Sequence, residues 1–330
     1  MYQLMIAVLL VLFITAQGGA EEPAVQDGPA KAVNQTDTSS PQPDVNNPEN
    51  TLPTRQQQES PQSAYFGQKT DRPVSAHKVN YFALDKWPGE HDAQIKFQIS
   101  MKFRLLEPNL YVLKYNIFPA YFAYTQKSLW NEGQPSMPFE ESNYNPELFL
   151  DYPVNAAIWG RLKLRTIIIS PFEHESNGLA GVQSRSWNRQ YVLVRFGFES
   201  KDKLEVTNSF LSDKASMYVK LWHASKYFDQ DAYLRSIGSN DTFLDYMGTG
   251  ELGLSVRNFL WGGSLKDHQL DVKAPIFRSR KKHSCEFEFR QQIPGMNFAL
   301  YAQYWYGYGE TLLRFDQFGR RSFIGLSFSY

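Results

Sequence analysis

Side chains in this chain alternate with a period of two, and that pattern limits its possible folds more than any other feature. Between residues 94 and 104, Ile95, Phe97, Ile99, Met101 and Phe103 take the odd positions, while Gln94, Lys96, Gln98, Ser100, Lys102 and Arg104 take the even ones. Successive side chains of a β-strand leave on opposite faces, so the segment predicts a strand with one apolar and one charged face. The dyad returns over residues 161–172, where Arg161, Lys163 and Arg165 oppose Leu162, Leu164, Thr166 and Ile168, with Ile167 and Ile169 interrupting the polar side. It returns again over residues 189–198, with Arg189 and Arg195 against Val192, Val194, Phe196 and Phe198. After the N-terminal segment no apolar run reaches the roughly 18 residues of a membrane helix. Alternating segments of about ten residues instead fit tilted transmembrane strands.

A soluble sandwich also alternates, so periodicity by itself leaves both architectures open. Two features favour a barrel in a membrane. Aromatic residues make up 15% of the chain and gather near segment ends, as in Tyr121, Phe122 and Tyr124, and again in Tyr301, Tyr304, Trp305, Tyr306 and Tyr308. Interfacial girdles use such rings. At the end of the sequence Ile324, Leu326, Phe328 and Tyr330 alternate with small or polar residues and the last residue is aromatic, which resembles the C-terminal strand by which bacterial outer-membrane barrels are recognised for assembly. The fold predicted is therefore all-β, a transmembrane antiparallel β-barrel of about 12 strands.

The N-terminal part is different. An apolar stretch over residues 4–13, followed by Gly18, Gly19 and Ala20, predicts a secretory signal peptide over residues 1–20. Residues 1–3 lack the usual Lys or Arg, which leaves a retained anchor open. Residues 21–78 form an extension, rich in Pro, Gln, Asn, Ser and Thr as far as Arg72, with too few large apolar side chains to offset the entropy of ordering. It is predicted to be disordered, and residues 79–330 to be the barrel. With 34 basic and 34 acidic residues the net charge is zero, which argues against a nucleic-acid partner. One cysteine, Cys285, excludes an internal disulfide and a cysteine-based zinc site.

The densest set of reactive side chains is His174-Glu-Ser176-Asn177-Gly178, followed by Ser184-Arg185-Ser186-Trp187-Asn188-Arg189. If the strand from Arg161 runs without a bulge, His174 and Ser176 share the face of Leu162, Leu164, Ile168 and Phe172, and point to lipid. Asn188 shares the face of Val192, Val194 and Phe196. A pairing of His174 with Asn188 then sets Ser170 against Val192 and Ile168 against Val194, and brings directly opposed Cβ atoms to about 5 Å. An Asn carbonyl could accept from one imidazole nitrogen and leave the other to take a proton from Ser176, the logic of a hydrolytic triad. Polar groups on a lipid-facing wall are costly, and their bland reading is an interfacial position satisfied by water and headgroups.

Other patterns carry less. Gly248-x-Gly250-x-x-Gly253 has the letters of a dinucleotide fingerprint, but Leu252, Leu254 and Val256 predict a strand where that chemistry needs a helix N-terminus. Glu173 and Glu175 flank His174, yet alternation sends both to the opposite face, which speaks against a metal cluster. His223, His268 and His283 stand alone.

The chain resembles the outer-membrane phospholipase A family. The matching residues are Tyr124-Thr-Gln126-Lys-Ser128, Pro138-Phe139, Asn143-Tyr144, Pro146-Glu147-Leu148-Phe149-Leu150, the two blocks at residues 174–178 and 184–189, and Gly307-Tyr308-Gly309-Glu310 with the final strand. The resemblance implies a twelve-stranded barrel in the bacterial outer membrane that hydrolyses acyl esters of phospholipids and lysophospholipids, active as a calcium-bound homodimer. It implies Ser176 as nucleophile, His174 as base, Asn188 as the group orienting that base, and the Gly178 amide in the oxyanion hole. Calcium (Ca2+) would be held by the Ser184 hydroxyl, the Leu179 carbonyl and Ser136 from the facing subunit, with Gln126 in the dimer interface. Leu179 replaces the Arg common in the family and Glu175 the frequent Asp; Ser136 is aligned only through the neighbouring Pro-Phe. The competing reading is a non-enzymatic barrel, a channel or a structural protein, that retains the motif.

Overall fold

The computed structural model describes residues 73–328, apart from 86–92, 107–109, 113–114, 118, 133–138, 181–182, 200–212, 225–242, 260–266 and 280. The expected signal peptide, the extension as far as Arg72, and Ser136 lie outside the described residues. In chain order the strands are β1 (Val74–Ala76), β2 (Asn80–Asp85), β3 (Gln94–Arg104), β4 (Leu110–Val112), β5 (Tyr115–Ile117), β6 (Ala120–Asn131), β7 (Phe139–Trp159), β8 (Leu162–Ser176), β9 (Ser186–Glu199) and β10 (Asp213–Ala224). After the short helix α1 (Phe243–Met247) come β11 (Gly250–Arg257), β12 (His268–Ile276), β13 (Ser284–Gln292), β14 (Phe298–Gly307) and β15 (Gly319–Phe328).

Twelve of these strands, β2, β3 and β6 to β15, pair antiparallel round a ring that closes through β2 with β15 and β3 with β6. Strands β4 and β5 form a separate two-stranded piece. Closure removes the unpaired edges that a sheet in lipid could not satisfy. The thirteenth strand of the sheet, β1, pairs with β3 from Val74↔Phe103 to Ala76↔Met101. The sheet therefore begins at Val74, before the expected domain start at 79. The cause is local: Ser100 of β3 takes both sides of the break between β1 and β2, accepting from Lys78 N at its Oγ (3.0 Å) and from Asn80 Nδ2 at its carbonyl (3.2 Å). Composition could not reveal a three-residue strand that owes its order to its partner.

The two faces are the reverse of a soluble protein's. Ile324 is 66% exposed and Lys96 only 2%. With Ile324 outside lie Phe82, Leu84, Ile99, Phe122, Leu221, Leu252, Leu254, Phe287 and Leu300, all exposed, whereas Lys102, Glu147, Glu173, Arg195, Glu288 and Arg290 are buried in the lumen. An apolar outer band around a polar interior is the pattern of an outer-membrane barrel. Most of these buried charges are paired. Glu173 meets Arg189 at 3.0 Å and Lys220 at 3.0 Å; Glu147 holds His77 at 2.6 Å and the Tyr191 hydroxyl at 2.7 Å; Lys96 meets Glu310 at 3.0 Å. Taking such charges out of water is tolerable where they find a partner, and Lys102 lies instead over the Tyr121 ring at 4.9 Å. Beside them Trp187, Trp222, Phe243, Leu312 and Phe315 form an apolar cluster. The connection between β14 and β15 folds inward to join it, tied by Glu141 of β7, which accepts from Leu312 N (2.8 Å) and Leu313 N (3.0 Å). Among the described residues no helix is long and apolar enough to cross a membrane.

Candidate active site

The hairpin of β8 and β9 carries the reactive residues, and its register departs from simple alternation twice. Leu164 pairs with Phe196 but Thr166 with Arg195, and Ser170 pairs with Tyr191 but Glu173 with Arg189. Each step inserts one extra residue into β8, a β-bulge that flips the side-chain parity beyond it. Between the bulges Ile167 and Ile169 pair with Val194 and Val192 on the outer wall, and Ile168 joins the lumenal cluster. The predicted pairings Ser170–Val192 and Ile168–Val194 are therefore incorrect, as is the outward placement of Ile168; the two isoleucines that seemed to interrupt the pattern are the lipid-facing ones. Two flips cancel, so His174 pairs with Asn188 on the outer face as parity had it, with Ser176 two residues on opposite Ser186.

Asn188 Oδ1 lies 2.8 Å from His174 Nδ1. An amide oxygen only accepts, so the shared proton belongs to Nδ1 and the lone pair of His174 is left at Nε2. Beneath the wall the lumen fixes the backbone that presents these groups. Asn145 Nδ2 donates to the His174 carbonyl at 2.7 Å. Glu175 accepts from Trp187 Nε1 at 3.0 Å and Arg189 Nη2 at 2.9 Å, and Glu173 is held by Arg189 and Lys220. The alternation that sent both glutamates inward is thus observed, and their role is structural. Among the described residues no cluster of His, Cys, Asp and Glu could hold a metal.

The turn after Ser176 is built on Asn177. Its Oδ1 accepts from Leu179 N (3.3 Å) and Arg185 N (2.9 Å), and its Nδ2 donates to the Gln183 carbonyl (2.8 Å). Gly178 has φ +66°, and a Cβ there would sit 2.6 Å from the Tyr144 ring. Only glycine fits both demands. Leu179 and Ser184 stand at the two sides of this turn; among the described residues no hydrogen bond occupies the Leu179 carbonyl or the Ser184 hydroxyl. Across the outer wall one row runs Ile99, Gln126, Tyr144, Ser176, Ser186 through four adjacent pairings. Gln126 lies on that wall between Tyr124, whose hydroxyl is 3.4 Å from Gln126 Oε1, and Ser128, at 3.3 Å from Nε2. Sequence reasoning quoted Tyr144 only within the family match and placed neither it nor Asn145 at the site, because their nearness to Ser176 and His174 follows from the β7–β8 register, which is itself shifted by bulges. Elsewhere, the glycines at 250 and 253 lie in β11, a strand as predicted, with Gly253 under the Tyr218 ring.

Fold and hairpin together define a class: a bacterial outer-membrane β-barrel with polar, hydrogen-bonded groups on its lipid-facing wall. A model of the family described as phospholipase A1 matches residues 51–329, and the chain belongs to that family. Among curated proteins it is similar to a putative phospholipase A1 of Neisseria meningitidis serogroup B, 28% identical over 255 residues, covering 74% of this chain and 57% of that protein. It is also similar to phospholipase A1 of Escherichia coli K12, 29% identical over 229 residues, covering 68% and 65%. The chain thus spans somewhat over half the length of these relatives. Among solved structures, outer membrane phospholipase A from Escherichia coli matches with a TM-score of 0.58 at 23% identity, covering 83% of this chain and 94% of that one. The outer membrane phospholipase of Salmonella typhi, a dimer with bound calcium, matches with a TM-score of 0.59 at 22% identity, covering 79% and 94%. At those identities the likeness speaks for the fold.

Proposed function

We propose that this chain is a calcium-dependent phospholipase of the outer membrane that hydrolyses the acyl esters of phospholipids, at either acyl position, and of lysophospholipids. The observation that carries the reading is the 2.8 Å contact of His174 Nδ1 with Asn188 Oδ1 on the outer wall, two residues along the same strand face from Ser176. With Nδ1 protonated, Nε2 accepts the Ser176 proton as Oγ attacks the ester carbonyl. The tetrahedral intermediate collapses as the imidazolium returns that proton to the departing alcohol, leaving an acyl group on Ser176. Water, deprotonated by the same Nε2, then releases the fatty acid. A neutral Asn suits the wall because an unpaired carboxylate facing lipid would be costly. The Gly178 amide is the donor assigned to the oxyanion, on a turn whose positive φ and contact with Tyr144 set its direction.

The turn also fits the cation. Its donors, the Ser184 hydroxyl and the Leu179 carbonyl, are oxygens, the ligand type a hard divalent ion takes, and the Asn177 hydrogen bonds hold the turn between them. Bound calcium would supply positive charge close to the developing oxyanion. Two neutral oxygens make a weak site, so its completion by Ser136 of the partner subunit would tie activity to homodimer formation. The calcium-bound dimer of the Salmonella typhi protein supports this reading. Gln126, a polar group on the row that includes Ser176, would meet its counterpart across such an interface. The test is fatty-acid release from mixed micelles with and without calcium, together with crosslinking of the subunits. Full activity in a chelator, or from a chain that stays monomeric, would overturn the calcium and dimer parts.

A further inference from the structure

The wall farthest from the candidate active site carries cations whose position points to a second ligand. Round the closed ring β14 lies six strands from β8 in both directions. At the end of β14 and β15 that is level with the site, rings form a continuous cluster: Tyr246 packs on Tyr308 (5.3 Å), Tyr308 on Phe318 (5.4 Å), Phe318 on Tyr306 (5.1 Å) and Tyr306 on His283 (5.8 Å). Two cations lie on its faces, Lys282 over Tyr246 and Tyr308 (4.3 and 4.9 Å) and Arg320 over Tyr306 and Phe318 (5.3 and 5.6 Å). Exposed Lys281 precedes Lys282 in the chain. Asp316 is near enough to act on Lys282, but among the described residues no carboxylate comes within salt-bridge distance of Arg320, Lys281 or Lys282.

Arg320 faces outward. It pairs with Tyr306, on the face of Ile324, whereas its neighbour Arg321 turns inward to Gln94 (2.6 Å) and Glu310 (3.2 Å). Four residues of strand, roughly 13 Å, separate it from the exposed Ile324. A guanidinium on a lipid-facing wall needs an anion, and at headgroup depth the membrane offers phosphate, which a guanidinium grips with two parallel hydrogen bonds. The rings hold both cations by cation–π attraction without using up their outward donors, although Lys282 also donates to the Tyr246 hydroxyl at 2.7 Å.

We propose that Lys281, Lys282 and Arg320, on the Tyr306–Tyr308–Phe318 platform, form a binding site for the phosphate of an anionic membrane lipid, separate from the hydrolytic site and on the wall turned away from it. The proposal rests on the barrel and not on the hydrolytic reading.

The test uses the full chain, refolded in dodecyl maltoside, with dihexadecyl phosphate as probe, a lipid phosphate lacking any carboxylic ester for a hydrolase to consume. Native mass spectrometry reads the bound lipid. One saturable site is expected, weakened at least fivefold in the double variant Lys282→Gln with Arg320→Gln, unchanged by Arg161→Gln in the exposed turn at the barrel's other end, and not displaced by an equal concentration of inorganic phosphate. Altered mobility of unheated protein on a gel confirms that each variant is folded. Equal binding by the double variant, or an equal loss with Arg161→Gln, overturns the site; displacement by inorganic phosphate overturns its assignment to lipid.

Discussion

His174 has two ring nitrogens, and the Asn188 carbonyl decides which of them is basic. Replacing Asn188 by Ala frees the ring to rotate and to take the other tautomer; the reading predicts a fall in kcat on the order of 10²-fold with KM nearly unchanged, measured as fatty-acid release. Gly178 is the second residue on which geometry leaves no latitude. Gly178→Ala forces an L side chain into a left-handed backbone at about 1–2 kcal/mol and drives its Cβ into Tyr144, 2.6 Å away in the wild-type backbone. Lower thermal stability and a loss of kcat are expected together. Truncating the ring in Gly178→Ala with Tyr144→Ala removes the clash but not the strain, so it should recover only part of the stability. The candidate residues were legible in the sequence through strand parity together with the family resemblance, since a His and a Ser two apart on a lipid face are weak evidence alone. Tyr144 and Asn145 were not, since nothing local to either sets which strand it meets.

At the scale of the hairpin, outward facing depends on two bulges that cancel. The dyad predicted the direction of His174, Ser176 and Asn188 correctly, and that of Phe172, which pairs with the outer Leu148, yet by a path that misplaced Ile167 to Ser170 between the bulges, because period-two reasoning sees parity and not insertions. Ile167 and Ile169 were the visible sign: two β-branched residues on the supposedly polar face mark where the parity had changed. A deletion of Phe172 removes the extra residue between Ser170 and Glu173 and reverses the parity of one side of the hairpin. Either the site turns to the lumen or the Glu173 and Arg189 pair turns to lipid. Hydrolysis should be abolished, whereas Phe172→Leu, which keeps the count, should retain activity within a few fold. Activity in the deletion would show that the bulge does not set the facing.

The whole molecule places its charges where a soluble protein places its core. Glu173, 1% exposed, is held between Arg189 and Lys220, so Glu173→Leu takes the ion pair from Lys220 and leaves the buried Arg189 with Glu175 alone. A loss of about 3–5 kcal/mol is expected, read as a lower guanidinium midpoint, while truncation of a lipid-facing residue such as Ile324 should cost far less. Alternation and clustered aromatics pointed to the barrel, although Tyr301 and Trp305 are buried within it; the pairing of its lumen charges could not be read, because it depends on which strands meet, across one hairpin for Glu173 and Arg189 and across the closure of the ring for Lys96 and Glu310. Those charges satisfy one another, which suits a support for the wall and not a conduit for ions. Whether this wall bears a working serine nucleophile is decided by fatty-acid release from phospholipid in mixed micelles, comparing wild type with Ser176→Ala, each folded and each with calcium and with chelator. Release by wild type with calcium is expected, with a fall of at least about 10³-fold in Ser176→Ala, where loss of a triad nucleophile can cost up to about 10⁶-fold, and with loss of release in chelator. Wild-type silence with calcium, or undiminished release by Ser176→Ala, would contradict a serine nucleophile on this wall.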